Sequence, residues 1–215
     1  MKKKEHPIFL ESIEYIKSHL GFTGLDSIYQ SVLERMIHAS GDFNLQKQVH
    51  FSSGACEIGM KALKSGSKIL TDTFMAKVAI SPMAKRTVNS DVRCILEWSP
   101  ESIDWDSTSV TRCSIGMRKA WLQLLDKDQC LEKPIVVIGS APTALMELMD
   151  LIEEGCEMPS LIIGMPVGFI GVSESKTRLL KSGIPHIVLQ GSKGGASLAA
   201  AATNALLRRV ESAID

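Results

Sequence analysis

Apolar and polar positions follow one rhythm up to about residue 66 and another beyond it. In the first part apolar residues recur every three to four positions. Ile8, Phe9, Ile13, Ile16 and Leu20 make one face of a helix over 7–20, and Pro7 suits its first turn. Gly21 and Gly24 break the run. Asp26 is placed to cap a second helix, with Ile28, Val32, Met36 and Ile37 as core positions and a stop near Gly41. Asp42 suits the cap of a short third segment. Ser52 or Ser53 suits the cap of a fourth helix through Ala55, Ile58, Ala62 and Leu63, ended by Gly66.

From Lys68 onward the pattern changes to short β-branched runs separated by helical stretches. The runs predict strands at 68–71, 92–96, 135–138, 161–163 and 186–189, apolar on both faces as buried parallel strands are. Helical spacing recurs near 73–79, 108–124, 142–154, 174–182 and 196–209. Strands alternating with helices imply parallel pairing and right-handed crossovers. The expected architecture is α/β: a three-layer flavodoxin-like fold, with a five-stranded, mostly parallel sheet, helices on both faces and a helical N-terminal prefix. Periodicity leaves strand order open; 2-1-3-4-5 is a common order for such a sheet. Residues 85–91 and 99–107 carry no clear pattern. The chain reads as a single domain over 1–215, its prefix (1–66) packed on the sheet.

Composition narrows the class without naming a reaction. The 215 residues are 45% hydrophobic and 22% charged, ordinary for a soluble globular protein, and Lys plus Arg equals Asp plus Glu at 24 each. No global field draws the chain to nucleic acid or to a membrane. No apolar run reaches the ~18 residues of a transmembrane helix. Charged residues soon after the basic start argue against a signal peptide. Cys56, Cys94, Cys113, Cys130 and Cys156 are odd in number, scattered and without a Cys-x-x-Cys pair, so free thiols in a reducing cytoplasm are expected and metal ligation is not.

Candidate chemistry gathers behind the strands. The sheet's carboxyl edge would carry Asp72-Thr73, then Gly139-Ser140-Ala141-Pro142-Thr143, then Gly164-Met165-Pro166-Val167-Gly168-Phe169, then Gly191-Ser192-Lys193-Gly194-Gly195. Ligands of open α/β sheets bind at that edge. Glycines let a backbone approach a ligand, and helix starts offer N–H donors to anions. Plain strand–helix connectors would look the same, and the glycine spacings match neither a dinucleotide fingerprint nor a phosphate-binding loop. Lys176 begins the helix opened by Ser173-Glu174-Ser175, either as a solvated lysine or as an anchor for an acid. Arg112 is either a surface arginine or a bidentate carboxylate clamp. His38 ends the second helix, where the helix dipole would favour its protonated form. It reads either as a cap or as a proton donor presented to a cleft. His6 and His19 read as surface residues and His186 as structural. No Ser–His–Asp pattern, metal cluster or basic–aromatic interleaving is present.

Five blocks, taken together, resemble one family. They are Glu34-Arg35-Met36-Ile37-His38-Ala39-Ser40-Gly41-Asp42; Ile69-Leu70-Thr71-Asp72-Thr73-x-Met75; Gly139-x-Ala141-Pro142-Thr143-Ala144-Leu145; Gly164-Met165-Pro166-Val167-Gly168-Phe169-Ile170-Gly171 with Glu174-Ser175-Lys176; and Gly194-Gly195 with Asn204-Ala205-Leu206. In order and spacing, from about residue 7 to 208, they are similar to the precorrin-8X and cobalt-precorrin-8 methylmutases of cobalamin biosynthesis. The resemblance implies an isomerase that moves a methyl group from C-11 to C-12 of a corrinoid ring, giving hydrogenobyrinate or cobyrinate. It also implies a flavodoxin-like fold, a homodimer and no separate cofactor; the cytoplasmic location expected rests on the scattered cysteines. The family's catalytic histidine falls on His38, a substrate-contacting serine on Ser12 and a substrate arginine on Arg112. Thr73, Ser140, Ala141, Thr143, Val167, Gly168, Lys176, Gly194 and Gly195 become the expected substrate contacts. Ala79 and Ala196 depart from the Gly and Ser found at those places in many members. The partners expected are the corrinoid substrate and product, a second copy of the chain, and a possible hand-over to the next enzyme. A methyl shift needs no nucleophile or hydride carrier, only a large pocket, anchors for carboxylates and a proton donor. The alternative of another class is a corrinoid carrier with little turnover; a weaker one is an anion- or nucleotide-binding module.

Overall fold

The computed structural model describes residues 6–103, 110–125 and 133–214, with backbone alone at 212–214. The helical prefix is α1 (Pro7–Leu20), α2 (Ser27–Ser40), a 3₁₀ turn (Phe43–Lys47), a short strand β1 (Val49–Phe51) and α3 (Ala55–Lys64). There follow β2 (Ile69–Thr71), α4 (Phe74–Thr87), β3 (Val92–Cys94), a 3₁₀ turn (Ile95–Trp98) and α5 (Arg112–Leu125). The chain continues through β4 (Ile135–Ile138), α6 (Pro142–Glu153), β5 (Leu161–Gly164), α7 (Val172–Lys181), β6 (His186–Leu189) and α8 (Ala196–Ile214).

The strands form one sheet in the order β1-β6-β5-β4-β2-β3. All pairs are parallel except β1–β6, which is antiparallel with His50 opposite Val188. The expected five strands are therefore six. Val49–Phe51 was missed because a three-residue strand with a polar centre has no readable alternation. The five expected strands are all present, and in sequence terms their order is 2-1-3-4-5.

Successive strand residues point to opposite faces. Ile69, Ile135, Val137, Leu161, Ile163, Ile187 and Leu189 pack with apolar residues of α1–α4 and α8. Leu70, Val136, Ile138, Ile162 and Val188 pack with α5, α6 and α7. Both sheet faces are thus covered, which is why the strands read as unbroken apolar runs.

Helix boundaries follow local chemistry with three corrections. Gly54 caps α3 in the left-handed region (φ 72°), and neither Ser52 nor Ser53 does. Instead Ser52 Oγ accepts the backbone N–H of His186 at 2.8 Å. α4 continues past 79 to Thr87, through Pro82. Pro82 lies on the exposed side, where water can serve the carbonyl its missing N–H leaves free, while Ala76, Ile80 and Ala84 are buried. α5 begins at Arg112, since Val110 and Thr111 of the expected 108–124 are not helical; 108 and 109 lie outside the described residues. Cys56, Cys94, Cys113 and Cys156 are free thiols, and Cys130 is outside the described residues. Among the described residues no helix is long and apolar enough to cross a membrane.

Candidate active site

The loops behind the strands lie on one edge, as read from the sequence, but their donors are differently employed. Asp72 follows β2 and is fully buried. Its Oδ2 accepts the backbone N–H groups of Gly139, Ser140 and Ala141 at 3.0, 2.6 and 2.8 Å. Burial pushes the Asp72 carboxyl above its ordinary value, and the three N–H bonds pull it back. The expected backbone contacts from Ser140 and Ala141 are therefore not free: the chain's own acid takes them. The Ser140 and Thr143 side chains are exposed, and the Thr143 hydroxyl lies 2.8 Å from that of Thr111. Thr73 caps α4, its Oγ1 accepting Ala76 N–H at 3.3 Å.

The glycines mostly serve close packing of loop against loop. A Cβ on Gly139 would lie 2.6 Å from Ala196 Cα, and one on Gly194 would lie 2.1 Å from the Met165 carbonyl oxygen. Gly195 N–H bonds Met165 O at 2.9 Å and Gly168 N–H bonds Ser192 O at 3.1 Å, so the loops after β5 and β6 are zipped together. Gly168 needs its glycine for a φ of 138°. Val167, Phe169 and Ile170, on the same β5–α7 loop, are exposed, the last two at 90% and 89%.

Lys176 is neither the solvated lysine nor the free anchor weighed from the sequence. It is 2% exposed, and its ammonium donates to the carbonyls of Gly191 at 2.8 Å and Lys193 at 2.7 Å. Burial pulls its pKa down to about 8. It staples the β6–α8 loop from beneath. On the outer side of that loop Lys193 pairs with Asp42 at 2.5 Å, and Gln190 N–H bonds Gln48 O at 2.9 Å. Through these contacts the segment after α2 is fastened to the sheet's carboxyl edge.

His38 stands in the last turn of α2, on the wall of a cavity of about 510 Å³ between α1 and α2. Ser12, Glu11, Tyr15, Ile37, Gly41 and Phe43 share its lining. Phe9 meets the His38 ring edge-on at 5.3 Å between centroids, and the Arg35 guanidinium lies 4.7 Å over the same Phe9 ring. Partial burial and the Arg35 charge lower the His38 pKa. Burial first and the Arg35 charge second thus oppose the imidazolium that the helix end was expected to favour.

The structure brings Ser12 and His38 into one cavity. Thr73, Ser140, Ala141, Thr143, Val167, Gly168, Gly194 and Gly195 lie on the sheet edge, joined to that cavity's segment through Asp42–Lys193. Arg112 opens α5, exposed, its Nε donating to Pro100 O at 2.9 Å, one residue from the Thr111–Thr143 contact. At the two departures, the Ala79 carbonyl accepts Asn204 Nδ2 at 3.0 Å and Ala196 is buried against Gly139, and neither contact explains the alanine. Sequence reasoning missed the roles of Asp72, Phe9 and Arg35, whose partners are distant in the chain or defined only by helix packing. Among the described residues no cluster of three or more His, Cys, Asp or Glu could hold a metal ion.

Comparison with known proteins gives a consistent result. Residues 7–209 match the family model described as precorrin-8X methylmutase. The chain is 34% identical over 196 residues to the cobalt-precorrin-8 methylmutase of Priestia megaterium, covering 91% of this chain and 84% of that one. It is 32% identical over 205 residues to the precorrin-8X methylmutase of Pseudomonas aeruginosa, with 93% of each covered. Among solved structures it is similar to a precorrin-8X methylmutase from Thermus thermophilus, with TM-score 0.83, 34% identity, and 97% and 99% of the two chains covered.

Proposed function

Because the chain belongs to the precorrin-8X methylmutase family, we propose that His38 is the proton donor of a corrinoid methyl shift carried out over the sheet's carboxyl edge. The protein is an isomerase of cobalamin biosynthesis that moves a methyl group within its substrate. The shift runs from C-11 to C-12 of precorrin-8 or its cobalt form. The observation that supports His38 most directly is its sharing of one cavity with Ser12.

The reaction breaks one carbon–carbon bond and makes another within a conjugated ring, so the protein's task is to hold the macrocycle and polarise it. His38 protonates, or hydrogen-bonds, a ring nitrogen or carbon near the migrating methyl. At rest burial, and after it the Arg35 charge, favour the neutral imidazole. A polycarboxylate substrate brings negative charge that opposes Arg35, so the imidazolium is favoured on binding and a proton is in place where it is needed. Arg112 takes a side-chain carboxylate, and the Ser12, Ser140 and Thr143 hydroxyls serve polar groups at the rim. Val167 and Gly168 supply wall and backbone contacts beside Gly194 and Gly195. Lys176 acts from below, by holding the Gly191–Lys193 loop in place.

A cavity of about 510 Å³ holds only part of a tetrapyrrole with its acid side chains. The exposed Phe169 and Ile170 support a homodimer in which a second copy covers this edge and completes the pocket. The order of the five parallel strands and the two covered sheet faces support the flavodoxin-like, three-layer description.

The test is incubation of catalytic amounts of protein with metal-free and with cobalt precorrin-8, following each absorption spectrum. Repeated turnover of at least one is expected. His38→Ala should fold and lose about 10²-fold or more in rate. Full turnover by a folded His38→Ala would remove His38 from the mechanism. Stoichiometric binding without turnover would instead mark a carrier.

A further inference from the structure

Consecutive backbone N–H groups converging at the start of a helix make an anion-binding concavity. In this chain the concavity at the start of α6 is already filled. The Asp72 carboxylate reaches across from the neighbouring strand, and one of its oxygens accepts all three N–H groups of Gly139, Ser140 and Ala141. The second oxygen is buried beneath the loop. From the opposite side the start of α8 closes on Gly139, leaving no room even for a methyl group. The loop is gripped on both sides, and its exposed groups are the side chains of Ser140 and Thr143.

Resting on the reading of this loop as a substrate contact, we propose that Asp72 is a positioning residue that excludes the corrinoid's acid groups from the α6 start and fixes the Ser140 and Thr143 hydroxyls as the loop's contribution. A substrate carboxylate cannot share the concavity, because its space is filled and all three N–H groups are already taken by Asp72 Oδ2. The acids are directed instead to cationic positions such as Arg112. Asp72 touches no reacting atom; it acts through the loop.

The test uses Asp72→Gly, which empties the concavity, and Asp72→Asn, which keeps its shape with a neutral acceptor. Ser140→Ala combined with Thr143→Ala probes the loop itself. KM for the corrinoid is expected to rise about tenfold in Asp72→Gly, less in Asp72→Asn, with kcat within about threefold of wild type. Formate should restore KM in Asp72→Gly by refilling the concavity and should leave wild type unchanged. If the hydroxyl double variant raises KM and Asp72→Gly does not, the role of Asp72 is wrong. If the hydroxyl variant leaves KM unchanged, the loop reading fails independently of Asp72. Should Asp72→Gly not fold, the amide resonances of 139–141 in the wild-type protein decide. Indifference to added formate supports an internally filled site; movement with formate overturns it.

Discussion

Replacing Lys176 by methionine keeps an unbranched stem of similar length and removes an amine that is 2% exposed. The amine serves two carbonyls, Gly191 O and Lys193 O, at 2.8 and 2.7 Å. Two ordinary hydrogen bonds contribute about 1–3 kcal/mol together. Against them stands the charge. Burial lowers the pKa from 10.5 to about 8, and at about 1.36 kcal/mol per pH unit the charged form costs the fold about 3 kcal/mol at pH 7. The two effects nearly offset, so Lys176→Met should lie within about 2 kcal/mol of wild type at pH 7. The informative quantity is the change with pH. Between pH 8 and 10.5 the folded chain has released this proton and the unfolded chain still holds it. The unfolded state then binds more protons, so wild-type stability rises with pH through this window. The methionine variant has no such proton. Urea unfolding at pH 7, 8.5 and 10 should show the gap moving toward wild type by about 3 kcal/mol by the top of the window. A gap constant within about 0.5 kcal/mol would refute a buried, charged Lys176 at neutral pH.

Gly194→Ala places a methyl against the carbonyls of Met165 and Pro166 and should cost about 3 kcal/mol or more by urea unfolding. Gly191→Ala, with open space around it and a φ of 74°, should cost about 1–2 kcal/mol. Equal losses would contradict the loop-on-loop contact. His186 donates through Nδ1 to Ile184 O and faces His50 through Nε2; burial first, then the His50 charge, lower its pKa below 6.5. Its neutral form is therefore the stabilising one, and stability should fall as pH drops below 6.5, less steeply in His186→Asn when melts at pH 5 and 7 are compared. Lys193→Met removes a half-exposed ion pair and should change global stability by less than about 1 kcal/mol, a difference erased by about 1 M salt. It should nevertheless speed amide exchange in the turn after α2; unchanged exchange there would deny that the Asp42–Lys193 contact fastens it.

β4, β5 and β6 were legible because each is buried on both faces and leaves the sheet through a glycine-containing loop, a signal contained within a dozen residues. β1 was not, because its partner lies at the other end of the chain and its own three residues carry no pattern. The same distinction divides the site. His38 and Ser12 were found through a resemblance, and α1 and α2 do bring them together. The donor-rich mouth inferred from glycines was half wrong. Whether an N–H faces a ligand or a distant aspartate is decided by a contact spanning 67 residues, from Asp72 to Gly139. Lys176 was misread for a related reason: local sequence places a lysine in a first helical turn and says nothing of the carbonyls that close over it.

The pairing of β1 with β6 also orders events on the ribosome. His50 emerges early, and its partner Val188 is made roughly 140 residues later, about 7 to 30 s at usual translation rates. α2 waits similarly for α8, against which its buried face packs. During that interval Val32, Leu33, Met36 and Ile37, all buried in the finished molecule, have only the neighbouring α1 and α3 to cover them. The nascent chain therefore carries a partly covered apolar helix face and an unpaired strand until β6 and α8 are made, and a chaperone that shields amphipathic helices during synthesis should raise the yield of native protein more than one that acts only after release.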